Sequence, residues 1–390
     1  MAEQWEYLSI VKGLQAEYGA LVDLGPDTAA YVTPLIQLWA RQPKEEDGAA
    51  EPDESSDQEV AEDARPEQQP MWDEGVVGLV WGRLKRQLLA QVKRKWPADR
   101  PVILDGEWLK DPEAYRTILS NCRTLHRRPL PVTGLTRDEG YQAVVANSVA
   151  MDAGGLVLRL GRDDFLASAP GTLTERIESL LARFGLTPAD VDVVLDLRFV
   201  GPRHRERDEI FAESMIRSLP HLEKWRNVAL VGSGMPRDGK GFRTNDITPF
   251  WRNEWWVWLE LRRRAAAQGF GRLPIFGDYG VINPEPVEAP TGDSRPLSRI
   301  PQVRYTAGDN CLMIRGLDLR ETDPAHLQPL FQQLINGRDW CQASFSKGDA
   351  WIARVAAGSP NPGTWSTWKR HGQSHHWTYV SQQLATRFDL

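Results

Sequence analysis

The stretch Val191–Gly201, VDVVLDLRFVG, decides the fold. Its first part is an almost unbroken apolar run, which is typical of a strand buried on both faces in a parallel sheet covered by helices. Asp196 and Arg198 follow two residues apart, and therefore lie on the same side of the strand. Parallel α/β proteins bind ligands at the carboxyl ends of such strands, so this stretch predicts a fold class and also a site.

Strands and helices alternate on both sides of this stretch. The eight predicted strands are Tyr7–Lys12, Val32–Trp39, Pro101–Leu104, Leu130–Thr133, Gly155–Leu160, Val191–Phe199, Asn227–Gly232 and Leu273–Phe276. Helical spacing of apolar residues separates most of them, and a long Trp-rich helix is predicted at Pro249–Gln268. Eight such units over roughly 280 residues predict an α/β chain with a (β/α)8 TIM-like barrel over residues 1–285. The alternative, a doubly wound open sheet, would need a glycine-rich fingerprint loop, and none is evident.

The pattern changes after residue 285. The predicted elements of residues 286–390 are a hairpin of Gln302–Thr306 and Asn310–Gly316, a helix at Asp323–Asn336, a strand at Ala350–Val355, and a terminal helix or strand at His375–Phe388. Strands and helices in this order predict an α+β extension, and we expect it to cap one end of the barrel.

Charge is unevenly placed along the chain. The net charge is −6, yet the segment from Lys44 to Glu67 alone carries eleven acidic residues against two basic ones. With almost nothing to bury, residues 41–70 are predicted to be a disordered insertion. Three cysteines without a CxxC pair indicate a reducing compartment, and neither a signal peptide nor a membrane-spanning run is evident. A cytoplasmic protein without a membrane partner is therefore expected.

Several further segments have a distinctive pattern in combination. They are the opening YLSIVKGLQAEYGALVDL with VTPLIQLW, the stretch VVLDLRFV, Arg252-x-Glu254 with Trp258, FGDYG, VRYTAGDN leading to Ile314-Arg315-Gly316, and Cys341, Gly348-Asp349, Trp368 and His375-His376. With these segments the chain resembles the beta family proteins, which are named after a phage T4 protein. The resemblance covers nearly the whole chain outside the acidic insertion. It implies a phage-related or bacterial defence setting, and it specifies no molecular activity.

A barrel brings the carboxyl ends of its strands together at one face, the mouth of the barrel. The residues predicted to bind a ligand there are Lys12, Asp105, Arg159, Arg198, Tyr279, Arg304 and Arg315, the last two reaching over from the extension. The candidates for catalytic proton transfer or orientation are Asp196, Asp278, His375 and His376. Alternating cations and carboxylates suit an internal ion-pair network, and they equally suit an anion site with orienting carboxylates. Both interpretations stay open.

The sequence specifies no cofactor. His371 and His375 have helical spacing, but there is no HExxH pattern, so no metal site is predicted there. Asp105, Asp196 and Asp278 together could hold Mg²⁺, although the neighbouring Lys and Arg side chains compete for the same carboxylates.

Two functional hypotheses follow. The first is a phage-related or anti-phage defence protein whose barrel mouth binds an anionic ligand, a nucleotide or phosphodiester, with hydrolysis as an open question. Its partner would be an anionic small molecule or a nucleic acid. The second is a non-catalytic defence component that acts through contacts with a partner protein, with the charged cluster purely structural.

Overall fold

A computed structural model describes residues 4–39, 74–92, 95–97, 100–109, 111–167, 171–269, 271–285, 300–359 and 363–387. The β-strands in these ranges are β1 (Tyr7–Val11), β2 (Val32–Trp39), β3 (Val102–Trp108), β4 (Pro129–Thr133), β5 (Leu156–Gly161), β6 (Val191–Phe199), β7 (Asn227–Ser233), β8 (Asp246–Trp251), β9 (Ile275–Asp278), β10 (Gln302–Ala307) and β11 (Asn310–Arg315). The α-helices are α1 (Gln15–Asp23), α2 (Pro26–Tyr31), α3 (Glu74–Arg83), α4 (Pro112–Thr124), α5 (Glu139–Asp152), α6 (Arg162–Leu166), α7 (Thr172–Phe184), α8 (Arg205–Ser218), α9 (Asn253–Gln268), α10 (Leu327–Ile335), α11 (Lys347–Ala356) and α12 (Trp365–Arg387). A π-helical turn, Leu84–Leu89, continues α3.

Eight strands, β1 to β7 and β9, form a closed barrel in sequence order. All neighbouring pairs are parallel, and β9 pairs with both β7 and β1, which closes the ring. The predicted TIM-like barrel is therefore confirmed, and the open doubly wound sheet is wrong. The eighth barrel strand begins two residues later than predicted, at Ile275.

Side-chain alternation along the strands builds two apolar layers. Inward-facing residues such as Leu8, Ile10 and Val194 fill the barrel together with Trp5. Outward-facing residues such as Tyr7 and Val193 pack against the surrounding helices instead. The inner apolar layer stops below the carboxyl ends of the strands, so the side chains of the next layer line the mouth.

The second sheet has three antiparallel strands in the order β10-β11-β8. The hairpin of β10 and β11 is confirmed. The Trp-rich helix predicted over Pro249–Gln268 is present as α9, but it begins at Asn253, because the residues before it form β8. Pro249 fits a strand here because β8 lies at the edge of its sheet, where a missing N–H costs no ladder hydrogen bond. Cys311 on this sheet packs against Met235 and Ile282, which follow β7 and β9, so the sheet covers that side of the mouth.

The strand predicted at Ala350–Val355 is also wrong, because these residues lie in α11. Trp351, Ile352 and Val355 recur at helical spacing and are buried together. Ser346 caps the helix by accepting a hydrogen bond from the backbone N–H of Asp349 at 3.1 Å.

The terminal segment is a helix, α12, that packs against α1 and against β10 of the second sheet. Trp377 and Val380 join the same apolar cluster as Tyr7 and Tyr18, and the Trp377 indole donates to Ser9 Oγ at 2.9 Å. The predicted acidic insertion, residues 41–70, lies outside the described residues. The predicted domain boundary after residue 285 falls where the described residues stop. No described helix is long and apolar enough to cross a membrane.

Candidate functional site

Strands β3 and β6 end in the same local arrangement. Asp105 Oδ1 accepts a hydrogen bond from the backbone N–H of Glu107 at 3.0 Å, and Asp196 Oδ1 accepts one from the N–H of Arg198 at 2.8 Å. The ladder between β6 and β7 shifts register between Asp196 and Phe199, and Arg198 has a φ of 57°. Each aspartate thus bends its strand so that the second following side chain stays at the mouth.

Arg159 of β5 is the centre of the charged network. Its guanidinium contacts Asp105 Oδ2 at 2.6 Å through Nη1 and Asp196 Oδ2 at 2.6 Å through Nη2. Tyr279 accepts a hydrogen bond from Arg159 Nη2 and donates one to Asp196 Oδ2, both at 2.7 Å. Gln37 completes the set when its amide oxygen faces Arg159 Nη1, at 2.7 Å. Each N–H group of Arg159 that points into the barrel therefore lies within hydrogen-bond distance of an acceptor oxygen.

The outer part of the network is looser and more exposed. Arg137 Nη1 contacts Glu107 Oε1 at 2.6 Å, whereas Arg198 lies 3.5 Å from both Glu107 and Asp196. The Arg198 side chain is 30% exposed and that of Glu107 is 21% exposed, against 4% for Arg159. Arg198 is therefore the arginine of this network that a ligand can reach most easily.

The arginines set the ionisation of the two inner carboxyls. Burial alone would raise the pKa of Asp105, but the attraction of Arg137 and Arg159 lowers it below its ordinary value. Burial likewise opposes ionisation of Asp196, and the attraction of Arg159 and Arg198 outweighs it, so this pKa is lowered too. Both groups are ionised at neutral pH, and both are poor proton acceptors.

Lys12, at the end of β1, is the fourth cation of the mouth. Its side chain is buried, and Nζ donates to the backbone oxygen of Glu285. Among the described residues, no carboxylate lies within ion-pair distance of Nζ. Burial is the main reason that the pKa of Lys12 falls to about 8, against the opposing attraction of Glu17. The carboxyl oxygens of Glu17 accept hydrogen bonds from the backbone N–H groups of Lys12 and Leu14, and burial raises the pKa of Glu17 to about 7.

Two tryptophans lie beside these cations. Trp39 ends β2 and Trp108 ends β3, and their rings stack with centroids 4.8 Å apart and planes 11° apart. Lys12 Nζ is 5.5 Å from the Trp39 ring centroid, and Arg198 Cζ is 5.9 Å from that of Trp108. Lys12, Trp39, Trp108 and Arg198 form one row of contacts across the mouth, which we name the mouth row.

Asp278 does not join this network, contrary to expectation. Ile275 of β9 and Tyr279, the residue just after this strand, face the barrel interior, so Asp278 faces outward. It accepts hydrogen bonds from Tyr7 OH at 2.6 Å and Ser9 Oγ at 3.2 Å, and lies 2.8 Å from His376 Nε2. Thr306 Oγ1 is 2.7 Å from the other ring nitrogen of His376. This cluster is buried between the barrel wall and α12.

The ionisation of this pair follows from its partners. Burial lowers the pKa of His376 despite the attraction of Asp278, and the contacts of Asp278 with His376 keep its own pKa low against the effect of burial. A neutral His376 then donates from Nε2 to the Asp278 carboxylate and accepts from the Thr306 hydroxyl at Nδ1. The chain of hydrogen bonds fixes α12 against the barrel.

His375 also lies away from the mouth. Its Nδ1 is 2.9 Å from Asp349 Oδ2, its Nε2 is 2.9 Å from the backbone oxygen of Thr306, and its ring stacks on Tyr305 at 3.8 Å. Tyr305 OH donates to Asp349 Oδ1 at 3.0 Å. These contacts join α12 to α11 and to the second sheet.

The two predicted arginines of the extension bind backbone oxygens of the segment that follows β7. Arg304 Nη2 donates to Pro236 O at 3.0 Å, and Arg315 Nη1 donates to Phe242 O at 2.6 Å. Across the described residues, no group of three or more His, Cys, Asp or Glu side chains that could hold a metal ion is found. Asp278 in particular points away from Asp105 and Asp196, so the three carboxylates suggested for Mg²⁺ do not converge.

The structure thus gathers part of the predicted site. The predicted residues that meet at the mouth are Lys12, Asp105, Arg159, Asp196, Arg198 and Tyr279. The predicted residues that have other contacts than this network are Asp278, His375, His376, Arg304 and Arg315. Arg137 was not predicted as a site residue. The feature of the sequence that points to it is its position just after β4, a barrel strand. Trp39 and Trp108 were missed as site residues, although each ends a barrel strand.

The family comparison is made over nearly the whole chain. The sequence profile of the Beta protein family matches residues 7–382, from the first barrel strand to the last turns of α12. The matched range therefore includes the barrel, the charged mouth and the second sheet. No curated protein matches the chain significantly. The chain belongs to the Beta protein family.

Proposed function

We propose that the barrel mouth binds an anionic ligand and that Lys12 and Arg198 contact it. The single observation that carries the proposal is the buried ammonium of Lys12, whose hydrogen bond goes to a backbone oxygen. Among the described residues this ammonium has no counter-ion within ion-pair distance, and a buried cation of that kind costs free energy that a bound anion would recover.

Arg198 supports the same proposal. It is partly exposed, its two ion pairs are long, and its backbone lies in the left-handed region at a φ of 57°. A non-glycine residue in that region costs roughly 1–3 kcal/mol, and such strain is concentrated at functional sites. The strain therefore favours a role for Arg198 beyond closing the barrel.

Binding is better supported than hydrolysis. Asp105 and Asp196 have lowered pKa values because of their arginine partners, so neither is suited to accept a proton from an attacking water at neutral pH. Asp278, His375 and His376 are packed away from the mouth. The phage-related or defence setting stays a prediction that rests on the family resemblance.

Replacing Lys12 tests the proposal. We expect Lys12→Met to weaken binding of pyrophosphate by about 10- to 100-fold, the usual worth of a hydrogen bond to a charged group. Isothermal titration calorimetry of the wild type, this variant and Arg198→Ala measures the effect. Lys85→Met, at an exposed lysine of the π-helical turn, is the matched control and should bind like the wild type.

The competing hypothesis predicts a different result. If the charged cluster is purely structural and the protein acts through protein contacts, the wild type binds no pyrophosphate, nucleotide or sulfate, and Arg198→Ala mainly lowers the melting temperature. Equal affinities of the wild type and Lys12→Met would also contradict the proposal.

The pKa of Lys12 adds a pH dependence. An anion binds the protonated form, which prevails below a pKa of about 8. Affinity for sulfate, which does not titrate in this range, should be level between about pH 6 and 7 and fall by up to about tenfold per pH unit above about pH 8. Lys12→Met should remove this decrease. A level profile in the wild type would mean that Lys12 does not contact the anion.

A further inference from the structure

Trp108 and Arg198 are both partly exposed and lie side by side at one end of the mouth row. Arg198 Cζ is 5.9 Å from the Trp108 ring centroid, near the outer limit of a cation–π contact. A planar ring in contact with both groups needs a separation of about 7 Å between their planes, so Arg198 has to move outward to admit one. Its exposure and its two 3.5 Å ion pairs leave it free to do so.

We infer that the anionic ligand is a mononucleotide whose base stacks between the Trp108 indole and the Arg198 guanidinium. The inference rests on the proposed function, since Lys12 and the edge of Arg198 hold the phosphates. Aromatic rings and guanidinium planes are the groups on which proteins stack bases. An ammonium in place of the guanidinium would keep the charge and lose the flat face.

One further atom at the mouth fits a nucleotide. Trp39 Nε1 is a buried donor with no hydrogen-bond partner among the described residues, and a phosphate oxygen can accept from it. Glu107 Oε2 accepts no hydrogen bond there, and its partners are ion pairs with Arg198 and Arg159 at 3.5 and 3.6 Å. When Arg198 moves to stack on a base, Glu107 Oε2 is left to accept from a sugar hydroxyl or a base N–H group.

A single nucleotide fits the charges better than a nucleic-acid strand does. Arg137 and Arg159 have close carboxylate partners at 2.6 Å, which leaves Lys12 and Arg198 to bind phosphate. A strand bound through its backbone needs a row of cations that follows several phosphates. The described part of the mouth holds two available cations on one short row.

The test compares ATP with inorganic triphosphate, which differ by the nucleoside alone. We expect the wild type to bind ATP at least about tenfold more tightly, the usual effect of one stacked base. Trp108→Leu leaves both cations in place and should reduce this ratio of affinities to near one, by weakening ATP binding far more than triphosphate binding. Arg198→Lys should reduce the ratio as well, and it keeps the inference testable if Trp108→Leu does not fold.

The outcomes separate the two claims. Equal wild-type affinities for ATP and triphosphate, both weakened by Lys12→Met, would overturn the nucleotide inference and leave the proposed function standing. Binding of neither compound would overturn both. Tighter binding of a short single-stranded oligonucleotide than of ATP would replace the mononucleotide with a strand. Quenching of tryptophan fluorescence by ATP, lost in Trp108→Leu, is the expected spectroscopic result.

Discussion

Arg159→Met is expected to lower the free energy of unfolding by about 3–5 kcal/mol, the usual cost of removing one partner of a buried ion pair. Arg159 contacts Asp105 and Asp196 at 2.6 Å each, and both carboxylates are almost fully buried. Their remaining partners, Arg137 and Arg198, are 3.7 and 3.5 Å away. Methionine fills most of the volume of the arginine side chain. The change in unfolding free energy, measured by urea denaturation at pH 7, therefore reports mainly the lost charge.

The pH dependence identifies the cause of this loss. Without Arg159, burial raises the pKa of Asp105 and Asp196 above the ordinary value that these carboxyls have in the unfolded chain. A buried carboxyl with a raised pKa destabilises the folded protein as pH rises and the carboxyl ionises. The deficit in the free energy of unfolding of Arg159→Met should therefore shrink as pH falls from about 7 to 5. Arg183→Met is the control, because its ion pair with Glu139 is exposed and solvent screens it, so its loss should change the stability much less. A deficit as small as that of the control would mean that the network does not stabilise the barrel.

Asp278→Ala is expected to destabilise the protein by about 3 kcal/mol or more and to loosen α12. The carboxylate accepts hydrogen bonds from Tyr7, Ser9, His376 and the backbone of Gly280, all of them buried. Removing it leaves several buried donors without an acceptor, at about 1–3 kcal/mol for a single group. Hydrogen exchange should then become faster in residues 365–387, and denaturation should give the free energy.

Ser9→Ala is the milder comparison for this prediction. It removes one hydrogen bond of the Asp278 carboxylate and the acceptor of the Trp377 indole, so it should cost about 1–3 kcal/mol and less than Asp278→Ala. While folded, Asp278→Ala should bind pyrophosphate as the wild type does. Unchanged stability together with lost anion binding would instead mean that Asp278 serves the ligand, as its predicted catalytic role requires.

The barrel could be predicted because its strands carry a strong signal. The apolar run of β6 ends in Asp196 and Arg198, and period-two alternation places both on the inner face. The four residues of β9 show no apolar–polar pattern from which its inward face could be predicted. Asp278 and Tyr279 were therefore both predicted at the mouth, although adjacent residues face opposite sides of a strand, and the structure turns Tyr279 inward.

Other misses have different physical causes. Arg137 follows the barrel strand β4 by four residues, and only the folded loop brings it to Glu107. β8 contains a proline, which is tolerated because a partner strand covers one edge only. His375 and His376 are neighbours in sequence, and helical geometry turns them toward different partners, Asp349 and Asp278.

The central claim is that an anion binds at the barrel mouth beside Lys12 and Arg198. The most direct measurement is the anomalous scattering of tungstate soaked into crystals of the wild type and of Lys12→Met. The account predicts a peak within contact distance of Lys12 Nζ and the Arg198 guanidinium in the wild type, and a much weaker peak in the variant. Tungstate bound only elsewhere, or bound equally in both crystals, would contradict it.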